Sequence, residues 1–376
     1  MKPKFEYVNT QLEIRKKNNL YRKLHDVRIS GPYITIDSKT IINFCSNDYL
    51  GLKSSILPNK QNQCSSRLIA GNDKLFNNFE DKLAKHKSQE CSLIFPTGYM
   101  ANLGIITSLA EKNDLILSDQ LNHTSIIDAC KMSGAKISIF KHNDMNDLAK
   151  KIKSKARRKF IITEGIFSMD GDFSNLREIS EISKKNNAII MLDDAHGDFI
   201  VGNDGKGTAN YFRTSKKIDV YVSSLSKGLG SFGGYVSSKK SVIKLCVNKS
   251  KSFIYTSALP SFIVYDGIKR FDSNREKKRK KLWKNVNNLS LGLKKIGFNI
   301  ESHSHIIPII VGKEKTAIEF GDYLFRNGIH GQPIRYPTVP YNESRIRLSV
   351  TAWLTKNHIE KALNVFERAK KKFNLV

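Results

Sequence analysis

The segment AIIMLDDAHG, Ala188 to Gly197, decides the fold class. It is a continuous apolar run that ends abruptly in two acidic residues and a histidine. Two further apolar runs, Phe160–Thr163 and Ile218–Val222, lie on either side of it in the sequence. Continuous apolar strands separated by amphipathic helices are typical of a parallel β-sheet covered by helices on both faces. The sequence therefore predicts an α/β fold.

A helix is predicted between the first two runs. Leu176, Ile179 and Ile182 recur at helical spacing, and Asn175 with Glu178 forms the pattern of an N-terminal capping box. The C-terminal third changes character after the basic stretch near residue 280, with mixed strands and a last amphipathic helix. We therefore expect an N-terminal segment (1–45) that packs with the small domain, a large domain (46–270) and a small C-terminal domain (271–376).

The bulk composition indicates an ordinary globular protein. Of 376 residues, 40% are hydrophobic and 26% are charged, which is enough to bury a core. The first twenty residues contain no apolar stretch of the signal-peptide kind, so we expect no secretory signal, and we expect no membrane span because no apolar run is long enough. The five cysteines are scattered without a CxxC pair, which argues against disulfides and zinc and for a reducing cytoplasm.

A formal net charge of +28 is the unusual bulk feature. It could serve a polyanionic partner such as nucleic acid, an anionic membrane or an acidic carrier protein. The alternative is a lysine-rich solvated surface without a partner. The basic runs at 150–159 and 275–281 contain no interleaved aromatic residues, which favours the second interpretation and argues against nucleic-acid binding.

Polar residues follow each of the three predicted strands. Glu164-Gly165 and Ser168–Gly171 come after the first, Asp193–His196 after the second, and Ser224–Lys227 after the third. Ligands of parallel sheets bind at the carboxyl ends of the strands. The three clusters therefore predict one site at this edge of the sheet.

Lys227 is the candidate nucleophile of that site. It lies alone in SSLSKGLGSFGG, Ser223 to Gly234, among the smallest side chains available. A buried lysine with room around its nitrogen can form a Schiff base with an aldehyde cofactor. The alternative is a solvated lysine in a Ser/Gly loop, but the neighbouring strand ends favour the first interpretation.

Asp193 and His196, spaced D-x-x-H, suit a pyridine cofactor, because a carboxylate at the ring nitrogen keeps the ring protonated. The pair could also be a polar strand end, or a metal site that lacks further ligands at sensible spacing. Backbone amides of Gly98 and Tyr99, at a predicted helix start, could bind a phosphate. His123 could stack on a planar ring or cap a helix.

These residues occur in motifs that resemble the α-oxoamine synthases, pyridoxal-phosphate enzymes of aminotransferase fold type I. The resemblance extends over nearly the whole chain. It implies a large domain with a mostly parallel seven-stranded sheet, a smaller α/β C-terminal domain, and pyridoxal 5′-phosphate as cofactor. The motifs are NFCSNDYLGL (43–52), SRLIAGN (66–72), TEGIFSMDGD (163–172), DDAHG (193–197), SKGLG (226–230) and IRYPTVP (334–340).

The resemblance implies a role for each matching residue. Lys227 would hold the cofactor, Asp193 would pair with its ring nitrogen, His196 with Ser168 would bond its phenolic oxygen, and His123 would stack on its face. The remaining implied residues are Gly98, Tyr99 and Ser224 at the phosphate, Thr256 or Ser257 from a partner subunit, Asn47 and Arg347 at the amino-acid substrate, and Arg22 and Arg335 at the far carboxylate of the acyl chain.

The implied reaction is the decarboxylative condensation of L-alanine with a pimeloyl thioester, of CoA or of acyl carrier protein. It yields 8-amino-7-oxononanoate for biotin synthesis, in a cytoplasmic homodimer with shared active sites. One alternative is a sibling enzyme that condenses glycine with a short acyl-CoA. A more remote alternative is an inactive homologue that binds nucleic acid.

The chain departs from the family pattern at two places. The glycine-rich run before Ser-Arg-Leu is replaced by Gln63-Cys64-Ser65, and the small residue and glycine after DDAHG are replaced by Asp198-Phe199. Both departures are expected near the active site, where they bear on the acyl substrate and on loop conformation.

Overall fold

The computed structural model describes residues 6–21, 25–53 and 64–374. Its contacts divide the chain into two compact units. Unit 1 comprises residues 1–46, 169–171 and 281–376, and unit 2 comprises residues 47–168 and 172–280. The domain bounds drawn from the sequence stay a prediction, because compactness does not show which segments fold independently.

Strands and helices alternate through most of the described chain. In chain order the strands are β1 (Val27–Ser30), β2 (Tyr33–Ile36), β3 (Lys39–Asn43), β4 (Cys91–Phe95), β5 (Leu115–Asp119), β6 (Lys136–Phe140), β7 (Lys159–Glu164), β8 (Ile189–Asp193), β9 (Val220–Ser224), β10 (Gly234–Ser238), β11 (Ile306–Gly312), β12 (Ile329–His330), β13 (Gln332–Ile334) and β14 (Ser344–Ser349). The helices are α1 (Glu6–Lys17), α2 (Lys74–Lys87), α3 (Gly98–Leu109), α4 (Thr124–Ser133), α5 (Met145–Lys151), α6 (Leu176–Asn186), α7 (Thr208–Tyr211), α8 (Lys240–Lys249), α9 (Lys251–Ile254), α10 (Ser261–Phe271), α11 (Arg275–Lys295), α12 (Glu314–Arg326) and α13 (Lys356–Phe373), with a π-helix at Arg67–Gly71.

Unit 2 contains a seven-stranded sheet in the order β4-β10-β9-β8-β7-β5-β6. Neighbours from β9 to β6 are parallel, and β10 is antiparallel to both β4 and β9. The mostly parallel seven-stranded sheet predicted from the family resemblance is thereby confirmed. The apolar runs of the sequence form its central strands β7, β8 and β9.

The apolar runs within these central strands are continuous because both faces of the sheet are covered. Alternate residues of β8 belong to different cores: Met191 packs with α3, α4, α8 and α9, whereas Ile190 and Leu192 pack with α5, α6 and α7. Side chains of a strand point to opposite faces in turn, so a strand covered on both sides needs apolar residues at every position.

Helix α6 begins where the sequence predicts, directly after Asn175, but the capping box is wrong. The Asn175 side chain makes no cap hydrogen bond and instead donates to Glu178 Oε1 at 2.7 Å. The two polar side chains therefore satisfy each other, while Leu176 and Ile179 are buried as expected.

Unit 1 contains a four-stranded sheet, β1-β2-β3-β12, and a three-stranded antiparallel sheet, β11-β14-β13. Strand β12 is parallel to β3, and the other pairs of the first sheet are antiparallel. Helices α12 and α13 contribute Phe320 and Phe366, whose rings contact each other in its core.

Among the described residues, none of the helices combines the length and the apolar character that a membrane crossing requires. The same residues contain no group of three or more His, Cys, Asp or Glu side chains that could hold a metal ion.

Candidate active site

Lys227 lies in a tight turn that follows β9. The turn is closed by hydrogen bonds from Leu225 N to Gly233 O (2.9 Å) and from Gly230 N to Lys227 O (3.0 Å). Gly228 must be glycine here, because a Cβ at that position would lie 2.5 Å from the carbonyl oxygen of Asp198. Part of the small-residue character around Lys227 is therefore required by chain packing.

The amine of Lys227 contacts His196, three residues after the end of β8. Lys227 Nζ lies 2.8 Å from His196 Nε2, and Tyr49 OH lies 2.8 Å from His196 Nδ1. The Tyr49 hydroxyl donates to Asn47 Oδ1 at 2.9 Å. Since that hydroxyl has a single proton, its oxygen accepts from Nδ1–H of His196. With the proton on Nδ1, Nε2 is the acceptor that faces Lys227.

Asp193 ends β8 and is nearly buried, at 8% exposure. Its Oδ2 accepts a hydrogen bond from Asn102 Nδ2 at 2.6 Å, and its Oδ1 accepts from Ala195 N at 3.0 Å. Asn102 also donates to Ser125 Oγ at 3.0 Å. Helix α3 thus orients the carboxylate that the sequence assigns to a pyridine nitrogen.

His123 caps α4 and is joined to the same network. Its Nδ1 lies 2.8 Å from Ser125 Oγ, and its backbone N donates to Glu164 Oε1 at 2.6 Å. Burial lowers the pKa of His123, so its ring is neutral at physiological pH. Burial and the neighbouring Asp193 raise the pKa of Glu164 well above its usual range. The uncharged form of Glu164 is therefore favoured beside Asp193.

The predicted phosphate site is a helix N-terminus. Helix α3 begins at Gly98, and Thr97 Oγ1 accepts from Met100 N at 3.1 Å. A Cβ on Gly98 would lie 3.4 Å from Ser224 Cβ, and a Cβ on Gly234 would lie 2.5 Å from Gly98 Cα. The first amides of α3 and the Ser224 hydroxyl are therefore close together. Tyr99 is half exposed and its hydroxyl donates to Asp128.

Other predicted residues lie elsewhere in unit 2. Ser168 lies in the turn after β7, which is closed by a 3.0 Å hydrogen bond from Phe167 N to Asp172 O. Thr256 and Ser257 follow α9 and line a pocket that also includes Arg67. Their assignment to a partner subunit stays a prediction.

Two of the predicted substrate arginines, Arg335 and Arg347, belong to unit 1. Arg347 lies on β14, is 8% exposed and donates from Nη1 to Ser349 Oγ at 2.8 Å. Arg335 donates to the Asn19 carbonyl oxygen. Arg22 lies outside the described residues.

Both departures from the family pattern place a larger residue where the backbone is left-handed. Cys64 has φ +47° and Phe199 has φ +65°. This conformation costs a non-glycine residue about 1–2 kcal/mol, which explains why the family favours glycine there. Asp198 and Phe199 pack on Gly228, next to Lys227, whereas Ser65 O accepts from Ala258 N at 2.8 Å. Gln63 lies outside the described residues.

Three residues that the structure places in this site have no role predicted from the sequence. These are Tyr49, Asn102 and Ser125. Tyr49 falls inside the motif NFCSNDYLGL (43–52), Asn102 follows Gly98 by four positions, and Ser125 follows His123 by two positions. The sequence signal for all three was a polar side chain in or next to a segment that already contained predicted site residues.

Comparison with known proteins identifies the family. The model of "Aminotransferase class I and II" matches residues 39–366. The 8-amino-7-oxononanoate synthase of Thermoanaerobacter pseudethanolicus is 39% identical and the alignment covers 99% of this chain and 98% of that protein.

Two solved structures extend the comparison. The serine palmitoyltransferase of Sphingomonas wittichii has a TM-score of 0.92 at 27% identity, with 99% and 98% of the two chains covered. The 8-amino-7-oxononanoate synthase of Francisella tularensis has a TM-score of 0.75 at 28% identity, with 89% of this chain and 99% of that chain covered. Together with the strand-end cluster around Lys227, these likenesses bear out the resemblance read from the motifs, and the chain belongs to the aminotransferase class I and II family.

Proposed function

We propose that the protein is a pyridoxal-phosphate-dependent acyltransferase of biotin biosynthesis. It condenses L-alanine with a pimeloyl thioester and forms 8-amino-7-oxononanoate, CO₂ and a free thiol. The observation that supports this proposal most is the contact between Lys227 and His196, which follows the buried carboxylate Asp193 by three residues. The curated relatives of the chain carry the name of this synthase.

The residues present suit pyridoxal phosphate. Lys227 provides an amine for the aldehyde, Asp193 a charged carboxylate for the ring nitrogen, and His123 a neutral ring for stacking. Gly98 and Tyr99 provide helix N-terminal amides for the phosphate, and Ser224 a hydroxyl. When bound, the cofactor supplies an electron sink for the carbanion formed at the α-carbon of the amino acid.

The protein's own residues hold charge and move protons. His196 Nε2 accepts a proton from Lys227 Nζ, and Tyr49 with Asn47 holds the opposite side of the ring. Asn102 stabilises the charged form of Asp193 by donating to it. Burial and Asp193 raise the pKa of Glu164, which favours its uncharged form and limits the negative charge beside Asp193.

The overall reaction balances without an oxidant or reductant. The alanine α-carbon loses its proton and bonds to the acyl carbonyl carbon, while the bond from sulfur to that carbonyl carbon breaks and the thiolate takes up a proton. The alanine carboxylate then leaves as CO₂, and a proton takes its place on the α-carbon. Asn47 and Arg347 are proposed to bind alanine, and Arg335 and Arg22 the far carboxylate of the acyl chain.

The proposed assembly is a cytoplasmic homodimer in which Thr256 or Ser257 completes the partner's phosphate site. The five cysteines are free thiols, as a reducing compartment requires. The acyl carrier is either CoA or an acidic carrier protein, which the +28 charge would attract.

A second candidate is a sibling condensation with another amino acid. The fold similarity supports it, since the serine palmitoyltransferase superposes with a higher TM-score than the Francisella synthase. Such a sibling, using glycine or serine, would need the same cofactor residues and would differ in the acyl pocket.

The test is a titration of the pyridoxal-phosphate-loaded protein with alanine, glycine and serine, each with and without pimeloyl-CoA. We expect the visible spectrum to change with alanine and the product to appear by mass spectrometry only with alanine and pimeloyl-CoA. A response selective for glycine or serine would move the protein to a sibling activity. Turnover by Lys227→Ala would contradict the assignment of the lysine.

A further inference from the structure

A cluster of buried charges that has no part in the chemistry proposed above lies beside the His196–Lys227 contact. Its centre is Asp198, which is fully buried. The carboxylate of Asp198 accepts hydrogen bonds from three other segments of unit 2: from His86 Nε2 (2.9 Å) and Lys87 Nζ (2.7 Å) at the end of α2, from Ser223 Oγ (2.7 Å) on β9, and from Tyr235 OH (2.5 Å) on β10.

Lys87 joins the two ends of the loop that carries His196. Its ammonium group lies 3.0 Å from Asp194 Oδ2, 2.7 Å from Asp198 Oδ1 and 3.1 Å from the carbonyl oxygen of Lys206. All three of its donors are therefore used. The backbone closes the same loop, since Asp198 N donates to Asp194 O at 2.8 Å. His196 is thus held between two carboxylates that share one cation.

Asp198 also contacts the segment that carries Lys227. Its side chain bonds Ser223, four residues before Lys227, and its carbonyl oxygen packs against Gly228, one residue after. One residue therefore touches the chain on both sides of the reactive lysine and lies two positions from the histidine that contacts it.

Within the cluster, Lys87 and Asp198 stabilise each other's charge. Burial would raise the pKa of Asp198, but Lys87 and His86 outweigh that effect and lower the pKa below its usual range. Burial would likewise lower the pKa of Lys87, but the carboxylates of Asp194 and Asp198 raise the pKa instead. The ion pair between Lys87 and Asp198 is therefore charged at physiological pH.

Phe199 stabilises the segment around Asp198 by packing. Its ring is fully buried and stacks on His86, with 4.9 Å between the ring centroids and 12° between the planes. The stacked ring opposes the strain of its left-handed backbone. The two residues that depart from the family pattern thus act together, one through charge and one through packing.

We propose that Asp198 is a positioning residue that, through Lys87 and Ser223, fixes the distance between Nε2 of His196 and Nζ of Lys227. The positioning itself stands on the contacts of this chain, and its consequence for catalysis rests on the proposed function.

The test uses Asp198→Asn, which keeps the shape of the side chain and removes its charge. The readout is the ¹⁵N spectrum of histidine-labelled protein without cofactor, in which His196 is assigned by comparison with His196→Gln. We expect the His196 nitrogens of D198N to move from the shifts of one fixed tautomer toward averaged values. Leu148→Ala, on the buried face of α5, is the control for a general loss of stability, and its His196 signals should not move.

Unchanged His196 signals in D198N, at an unfolding temperature lowered as much as in L148A, would overturn the proposal. If D198N does not fold, Ser223→Ala removes one hydrogen bond and leaves the ion pair intact. S223A is expected to shift the same signals in the same direction by a smaller amount, and signals at wild-type positions would again overturn the proposal.

A second measurement separates this proposal from the proposed function. Pyridoxal phosphate is expected to bind D198N about tenfold more weakly than it binds wild type or L148A. The reason is that the charge-assisted contact between Lys87 and residue 198 is lost, so that His196 and Lys227 are no longer held in place. Equal affinity in D198N and L148A would overturn the catalytic consequence of the positioning. If wild type itself fails to bind pyridoxal phosphate, the proposed function is wrong, and the histidine spectrum still decides the positioning.

Discussion

The hydroxyl of Tyr49 lies 2.8 Å from Nδ1 of His196, and this contact determines which nitrogen of the histidine faces Lys227. The two residues are separated by 147 positions in the sequence. The proton that Tyr49 gives to Asn47 leaves its oxygen as an acceptor, so the imidazole proton stays on Nδ1. Tyr49, which was not among the predicted site residues, thereby makes Nε2 of His196 the acceptor for a proton of Lys227.

Tyr49→Phe is expected to lower kcat about fivefold, the equivalent of one hydrogen bond of about 1 kcal/mol. The reason is that Nδ1 loses its acceptor and the imidazole no longer favours one tautomer. Steady-state kinetics with alanine and the acyl thioester measure the effect. Tyr33→Phe is the matched control, because Tyr33 OH makes a similar 2.9 Å contact with His358 Nε2 in unit 1. Equal rates in wild type and Y49F would contradict the assignment.

Asn102→Ala is expected to weaken pyridoxal-phosphate binding about tenfold, since Asp193 would lose a donor and remain buried and charged. An absorbance titration of the cofactor-free protein measures the dissociation constant. Asn285→Ala removes a buried amide that donates to two backbone carbonyl groups in unit 1. That variant should lose stability without losing cofactor affinity. Cofactor affinity that is lower in Asn285→Ala than in Asn102→Ala would refute the role of Asn102.

Arg345 and Arg347 lie on the same strand but are expected to behave differently. Arg345 is buried and paired with Asp170 within unit 1. Arg345→Met should therefore lower the unfolding temperature, because it leaves a carboxylate without its partner. Arg347→Met should raise the KM for alanine at least tenfold, because a charge-assisted contact to the substrate carboxylate would be lost. A rise in KM confined to R345M would show that the substrate arginine was wrongly chosen.

His142 predicts a pH dependence of stability. Burial would lower the pKa of His142, but its bonds to Asp119 (2.8 Å) and Asp172 (2.8 Å) raise the pKa to about 10. A pKa raised in the folded state adds stability that is complete below the unfolded value of about 6.5 and is lost as the pH rises through about 10. The unfolding temperature of His142→Gln should lie furthest below wild type near pH 6 and approach it above pH 10. A pH-independent difference would contradict the charged state of His142.

Cys64→Gly is expected to stabilise the protein by about 1 kcal/mol, because glycine relieves the left-handed backbone at φ +47°. Cys64→Ala keeps the strain and removes the thiol, so it should leave stability unchanged. Thermal unfolding of both variants measures the difference. Equal unfolding temperatures would mean that this backbone conformation carries no cost.

The sequence predicted the central sheet because its strands are covered on both faces, which leaves a continuous apolar signal at Phe160–Thr163 and Ala188–Leu192. It also placed Asp193 and Lys227 at neighbouring strand ends, since parallel strands end at one edge. The contacts of Tyr49 and Asn102 could not be predicted from apolar runs or from strand ends. They join segments far apart in the chain, and no periodicity encodes such a pairing.

The capping box at Asn175 failed for a related reason. Two polar side chains three residues apart can bond the backbone or each other, and the spacing is the same in both cases. Asp198 illustrates the remaining limit. As a departure from a pattern it indicated an unusual position, but its partners come from α2, β9 and β10, and only the folded chain brings them together.

The place of β10 in the sheet sets an order of events during synthesis. Strand β4, which leads into Gly98, lies at the sheet edge beside β10, and Phe95 pairs with Gly234 about 140 residues later. At roughly 5–20 residues per second, a ribosome needs on the order of ten seconds to make that segment. Until then the first turn of α3 lacks the backbone against which it packs. A nascent chain released before Gly234 should therefore lack the phosphate site proposed at Gly98, however much of its parallel sheet has already formed.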